Sequence, residues 1–235
     1  MKKMKILGLD SSGLVASVAV VEDDNLLAEY TVNYKKTHSQ TLLPMLDEIA
    51  RMIDLDLQDI DAIAIAGGPG SFTGLRIGSA TAKGLGFALE KPLVQIPTVD
   101  GLAYNLYGCR DMVCPLMDAR RNQTYTGLYE FTRKGMEVLT PQCAIGIDGI
   151  VEDINGKNRP VIFLGDGVPV FRSFIEENCK VPFSFAPAHL NKQRAAAVAA
   201  LGLVYCREGR TQTAAGHVPD YLRLSQAERE RLERA

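Results

Sequence analysis

Residues 61–90, DAIAIAGGPGSFTGLRIGSATAKGLGFALE, constrain the fold more than any other stretch. Ala62 to Ala66 is a short apolar run and reads as a buried strand. Gly67-Gly68-Pro69-Gly70 ends it and turns the backbone. Ser71 or Thr73 is placed to cap a helix running to about Leu89. Inside that helix Gly74, Gly78, Ala82 and Gly86 recur every fourth residue and form one stripe of nearly bare backbone, with Gly84 beside it. Each interior glycine costs about 1 kcal/mol relative to alanine, so Gly78, Gly84 and Gly86 together cost about 3 kcal/mol. A close neighbour must offset that. It is either an element of this chain, its own sheet included, or a helix of a partner.

A glycine-rich turn between strand and helix also suits phosphate binding at a helix N-terminus. The spacing argues against the standard forms. No Gly-Lys-Ser/Thr follows, and the dinucleotide pattern G-x-G-x-x-G would put its third glycine at Thr73, one residue short of Gly74. A tight turn feeding a close-packed helix satisfies the same residues.

The chain has 235 residues, 46% of them apolar, and a net charge of −2 without a basic stripe. Two modest cores are affordable, whereas autonomous nucleic-acid binding, which needs clustered Lys and Arg, is disfavoured. No apolar run approaches the roughly 20 residues of a membrane span. Five cysteines without a C-x-x-C and three scattered histidines give neither a disulfide framework nor zinc spacing. The expected setting is the reducing cytoplasm, with no metal, no cofactor and no membrane contact.

Read in order, the chain opens with strands at Lys5–Asp10, Ala16–Glu22 and Leu26–Val32. A helix follows over Thr37–Ile53, with Leu42, Leu46, Ile49 and Ile53 on one face and Pro44 near its start. The strand and helix of 61–90, a strand at Leu93–Ile96 and a helix from Thr98 to Leu106 complete a first half, 1–106. The order β-β-β-α-β-α-β-α implies a mixed sheet flanked by helices, a ribonuclease-H-like half. Residues 107–192 look like a smaller, degenerate copy. They hold strands at Val113–Asp118, Thr124–Phe131 and Val161–Leu164, then a helix near Val170–Cys179. An Ala-rich helix at 193–207 is expected to pack back on the first half, and 208–235 is a tail with a charged end.

Each half thus starts with a strand ending in Asp, at Asp10 and Asp118. That is the α/β plan of the actin, hexokinase and heat-shock-ATPase superfamily (ASKHA), whose paired carboxylates face a nucleotide cleft. On that plan Asp10, Ser11, Ser12, Asp118, Gly165, Asp166 and Gly167 would line a vestigial cofactor cleft. They also suit ordinary strand-end turns. A small-molecule kinase or ATPase is therefore the alternative function.

Six segments together carry a more specific resemblance: Leu9-Asp10-Ser11-Ser12, Thr37-His38-Ser39-Gln40-Thr41-Leu42-Leu43-Pro44, Gly68-Pro69-Gly70-Ser71-Phe72-Thr73-Gly74-Leu75-Arg76-Ile77-Gly78, Asp118-Ala119-Arg120-Arg121, Gly165-Asp166-Gly167 and Tyr221-Leu222-Arg223. From about Met4 to Arg223 the chain resembles the TsaB family, also called YeaZ. The resemblance implies a non-catalytic subunit of the bacterial machinery that makes threonylcarbamoyladenosine in tRNA. It implies pairing with a catalytic sister, TsaD, docking of the ATPase TsaE on the pair, and tRNA contact only through the complex. Whether the chain alone forms a homodimer through the same surface is left open by the sequence. The sister carries two metal-binding histidines, and Thr98 and Leu102 stand at those positions here. Leucine has no ligand atom and threonine is a poor substitute for imidazole, so Thr98 reads as a helix cap and Leu102 as a core residue. The peptidase reading of such chains lacks a metal pair or nucleophile–base pair as well, and lone His38 reads as a cap or surface residue. The resemblance further implies pairing through helices of the first half. The candidate interface residues are Leu43, Met45 and Met52 on one helix and the Gly74, Gly78, Ala82 and Gly86 stripe on the other.

Overall fold

The computed structural model describes residues 3–34 and 41–222. His38, Arg223, the start of the 37–53 helix and the charged 227–235 end lie outside the described residues.

The first sheet contains β1 (Lys5–Asp10), β2 (Ala16–Glu22), β3 (Asn25–Val32), β4 (Ala62–Ala66) and β5 (Leu93–Ile96) in the order β3-β2-β1-β4-β5. β1, β2 and β3 form an antiparallel meander, while β4 and β5 join in parallel. Interleaved with them are α1 (Leu42–Met52), α2 (Phe72–Leu89) and α3 (Thr98–Tyr104). The second sheet repeats the plan with β6 (Met112–Asp118), β7 (Gln123–Thr132), β8 (Gly135–Gly146), β9 (Val161–Leu164) and β10 (Phe183–Phe185), ordered β10-β9-β6-β7-β8. Interleaved with these strands are α4 (Ile147–Lys157) and α5 (Val168–Asn178), and α6 (Ala195–Arg207) follows β10. The copy is complete rather than degenerate.

β8, α4 and β10 have no counterpart in the sequence reading, for physical reasons. β8 is an edge strand with no fully buried position and an internal Pro141, so it lacks the two-residue alternation. α4 carries Gly149 and Gly156, which weaken helix propensity, although Ile147, Ile150, Val151 and Ile154 form its buried face. β10 is only three residues long.

Alternation in β1 and β4 splits the first sheet into two unlike faces. Leu7, Leu9, Ile63 and Ile65 pack under α1 and α2. Ile6, Ala62, Ala64 and Ala66 meet α6 on the opposite face. Small residues permit a close fit there. A Cβ on Gly8 would stand 2.4 Å from the Ala195 carbonyl oxygen, and one on Gly202 would stand 2.5 Å from the Ala64 Cβ. α3 crosses instead to the second sheet, where Val99, Leu102 and Ala103 pack with Val113, Met117 and Tyr129. The centre of the molecule is therefore two helices between two sheets.

A buried carboxylate ties these layers together. Asp100 on α3 accepts hydrogen bonds from the hydroxyls of Tyr129 on β7, at 2.7 Å, and Tyr205 on α6, at 3.3 Å. Burial, the largest influence, pushes the Asp100 carboxyl above its usual value against the lowering effect of both tyrosines and Arg210. The folded chain thus holds this proton to higher pH than the unfolded chain. The group's stabilisation is complete below the unfolded value of 3.8 and is lost as pH rises through the raised folded value. Asp100→Asn removes the ionisation and keeps polar atoms for both hydroxyls. Denaturant titrations across the acid range should find the difference between variant and parent moving in the variant's favour as pH rises. Tyr129→Phe leaves one carboxylate oxygen unpaired and should cost about 1–3 kcal/mol in the same assay.

Candidate functional site

The strand-end turns gather at the carboxyl edges of β1, β4, β6 and β9, and the two halves treat them differently. In the first half the turn is closed on itself. Asp10 is buried, and its Oδ1 accepts both the Ser12 N–H, at 2.9 Å, and the Ser12 hydroxyl, at 2.7 Å. The Ser11 hydroxyl donates to the Gly74 carbonyl at 2.9 Å, and the Ser71 N–H donates to the Ser12 carbonyl at 2.7 Å. The glycine-rich segment therefore sits directly on this turn. A Cβ on Gly70 would stand 2.3 Å from the Ser12 oxygen, and one on Gly74 would stand 2.1 Å from the Ser11 oxygen. Ser71 caps α2, its hydroxyl accepting the Gly74 N–H. Both serine hydroxyls are engaged inside the protein.

The second half keeps a more open arrangement. Asp118 is partly exposed, and its Oδ1 accepts the Arg120 N–H at 2.8 Å. Arg120, Arg121 and Asn122 all have positive φ in the turn beyond it. Gly165 and Gly167 lie against the Leu116 backbone, the Gly167 N–H donating to the Leu116 carbonyl at 2.9 Å. Asp166 is pushed above the usual carboxylate range chiefly by burial; the Lys192 charge and a backbone hydrogen bond at Asp118 oppose the rise, and the Asp118 charge adds to it. The second-half members of the expected cleft thus come together, while Asp10, Ser11 and Ser12 hydrogen-bond within the first half.

Thr98 is the first residue of α3 and does not cap it; Pro97 occupies the cap position. The Thr98 hydroxyl instead accepts the Gly68 N–H at 3.1 Å, and its own N–H donates to the Gly68 carbonyl. Leu102 is buried in the α3 core. This pair does not fit a metal ion. No group of three or more His, Cys, Asp or Glu able to hold one occurs among the described residues.

The interface expectation needs correction at five positions. Gly74, Gly78, Ala82 and Gly86 are buried and face inward. A Cβ on Gly78 would stand 2.4 Å from the Ser11 hydroxyl and 3.1 Å from Ile65 Cδ1, and one on Gly86 would stand 3.1 Å from Leu93 Cδ2. The stripe is bare because β1, β4 and β5 need the space. Met45 is buried in the same core. Leu43 and Met52 remain exposed, at 52% and 76%.

A second small-residue stripe lies on the same helix. Ala80, Gly84 and Ala88, also four residues apart, are exposed, with Phe87 exposed at 61% beside them. A Cβ on Gly84 would meet nothing within 4 Å. α1 touches α2, so both helices present apolar surface on the outer side of the first sheet.

The tail holds a further surprise. Gln212 bridges to Leu93, Ala214 lies against Gly86, and the Asp220 N–H donates to the Gly67 carbonyl at 2.7 Å. Lys83 donates to the carbonyls of Ala215 and His217. Residues 211–222 therefore strap α2 and the glycine turn in place.

Two halves of identical strand order with helices between them define the actin, hexokinase and heat-shock-ATPase class of folds. The ADPNP-bound activator of 2-hydroxyisocaproyl-CoA dehydratase from Clostridium difficile shares it, with a TM-score of 0.52 at 10% identity over 88% of this chain and 97% of that one. A Pseudomonas aeruginosa structure described as similar to the peptidase YeaZ matches with a TM-score of 0.79 at 25% identity over 95% of this chain and 100% of that one. The model of the family described as TsaD, tRNA N6-adenosine threonylcarbamoyltransferase, matches residues 25–231. The tRNA threonylcarbamoyladenosine biosynthesis protein TsaB of Bacillus subtilis (strain 168) is 34% identical over 230 residues, 98% of this chain and 99% of that one. The chain belongs to the TsaB (YeaZ) family of tRNA threonylcarbamoyladenosine biosynthesis.

The two stripes of α2 should respond oppositely to one added methyl group. Gly78→Ala should lower stability by about 1–3 kcal/mol through overpacking. Gly84→Ala should raise it by up to about 1 kcal/mol through helix propensity. Thermal melts of the two variants check both signs. The closed Ser11–Ser12 turn also leads us to expect no measurable ATP binding by calorimetry. Micromolar affinity abolished by Asp10→Ala would contradict this.

Proposed function

We propose that the chain is a non-catalytic subunit that pairs with a TsaD-family partner through the outer faces of α1 and α2. The partner then transfers the threonylcarbamoyl group to the N6 amine of the tRNA adenosine next to the anticodon. TsaE docks on the pair, and tRNA is met only within that assembly, in the cytoplasm. When the chain is alone, the same surface serves a homodimer.

The observation that carries this reading is the exposed Ala80-Gly84-Ala88 stripe flanked by Phe87, next to Leu43 and Met52 of α1. An exposed glycine inside an 18-residue helix weakens the isolated chain and gives nothing back to its own core. It does let a partner's helix backbone come close, and exposed Met and Phe suit a surface that adapts to a partner. The engaged Ser11–Ser12 turn and the Thr98–Leu102 pair support the non-catalytic part.

Gly84→Leu tests the surface. The open space around Gly84 should leave the folded chain at least as stable as the parent, whereas co-elution with the TsaD-family partner on a sizing column should fail. Purified alone, the chain should modify no tRNA. Added to TsaD, TsaE and ATP, it should be required for modification. Robust modification by the chain alone, or a Gly84→Leu variant that pairs normally, would overturn the reading.

A further inference from the structure

Two motifs distant in sequence meet at the N-terminal end of α2. The Arg76 guanidinium lies over the Phe72 ring, its Cζ 4.0 Å from the centroid. The same ring also neighbours Tyr221 of the tail strap, centroid to centroid 4.9 Å and tilted by 39°. The strap itself is held by Asp220, whose carboxylate accepts a hydrogen bond from Gln142 of β8 at 3.1 Å. Arginine, phenylalanine and tyrosine thus form one supported cluster.

Arg76 differs from the other arginines held this way. Among the described residues three arginines stack on aromatic rings. Arg172 also pairs with Glu176 at 3.4 Å, and Arg210 with Glu208 at 3.5 Å. Arg76 is exposed and has no hydrogen bond or ion pair with any described residue. No acidic residue lies in the first turn of α2 either. Stacking restrains a guanidinium while leaving its donor edge available, so the entropy of ordering it is largely met before any partner arrives. Arg76 is also four residues before Ala80 and eight before Gly84, at the end of the exposed stripe.

Resting on the pairing reading above, we propose that Arg76 anchors the α2 face by a bidentate pair with a carboxylate of the partner subunit. A carboxylate matches the planar fork of donors, and the helix N-terminus nearby favours the same charge. A protein partner suits the surroundings better than an RNA backbone does. The rest of the stripe is apolar, and the nearby Lys83 is engaged by the strap carbonyls, so the cluster of cations that phosphates require is missing.

Calorimetric titration of the chain with its TsaD-family partner tests this. Arg76→Ala should weaken association by about tenfold or more with an unchanged melting temperature, since the side chain is exposed. Arg76→Lys should recover only part of the loss, and Phe72→Leu, which removes the supporting ring, should cause an intermediate loss. A partner Asp or Glu changed to Arg should restore binding to Arg76→Glu. Unaltered affinity in Arg76→Ala, while Phe87→Glu abolishes pairing, would overturn the role of Arg76 and leave the α2 face standing. Unaltered affinity in both would overturn the face as well. Normal pairing with weakened tRNA binding by the assembled pair would assign Arg76 to a phosphate and overturn the carboxylate.

Discussion

The contact between the Ser11–Ser12 backbone and the glycines of α2 governs the rest of this molecule. Carbonyl oxygens of a strand-end turn lie where the Cβ atoms of residues 70 and 74 would be, and the Ser11 hydroxyl lies where that of residue 78 would be. Only glycine allows that approach. The helix consequently lies low on the first sheet, the turn is closed, and its hydroxyls are engaged. The other side of the same helix is lifted into solvent with Ala80, Gly84 and Phe87 on it. One packing solution engages the turn at the end of β1 and leaves the opposite face of the helix exposed.

The duplicated topology makes the divergence of the halves plain. β6 ends in Asp118 as β1 ends in Asp10, yet the surroundings differ. Asp118 stays partly exposed near Asp166, beside a turn with three consecutive residues at positive φ. Left-handed backbone is unfavourable for arginine, so Arg120 and Arg121 are held there by the hairpin and by the Asp118 hydrogen bond. The Asp100–Tyr129–Tyr205 cluster and the Gln142–Asp220 link then join the two sheets' elements at separate points.

Much of this was legible from residues alone, because periodicity and turn chemistry are local. The strand of 62–66, the Ser71 cap, the Asp-terminated strands and the Ala-rich helix follow from side-chain spacing. The family follows from motifs spread along the chain. β8 and α4 were not legible, since an edge strand has no buried alternation and two glycines mask a helix. The strap was not legible either. Its order comes from contacts with α2, β5 and the glycine turn more than 100 residues earlier.

The orientation of α2 is the sharpest division between the two levels. Its sequence contains two stripes of small residues, 74-78-82-86 and 80-84-88, and small size says only that something comes close. Sequence determined that α2 would be smooth, capped at Ser71 or Thr73 and preceded by a tight turn; the structure chose Ser71. Tertiary structure alone decided which stripe meets Ser11, Ile65 and Leu93 and which meets solvent. Both stripes satisfy the same helical period, and only the relative position of sheet and helix breaks the tie. The Arg76–Phe72–Tyr221 cluster belongs to that second level too, because no local rule brings residue 221 to residue 72.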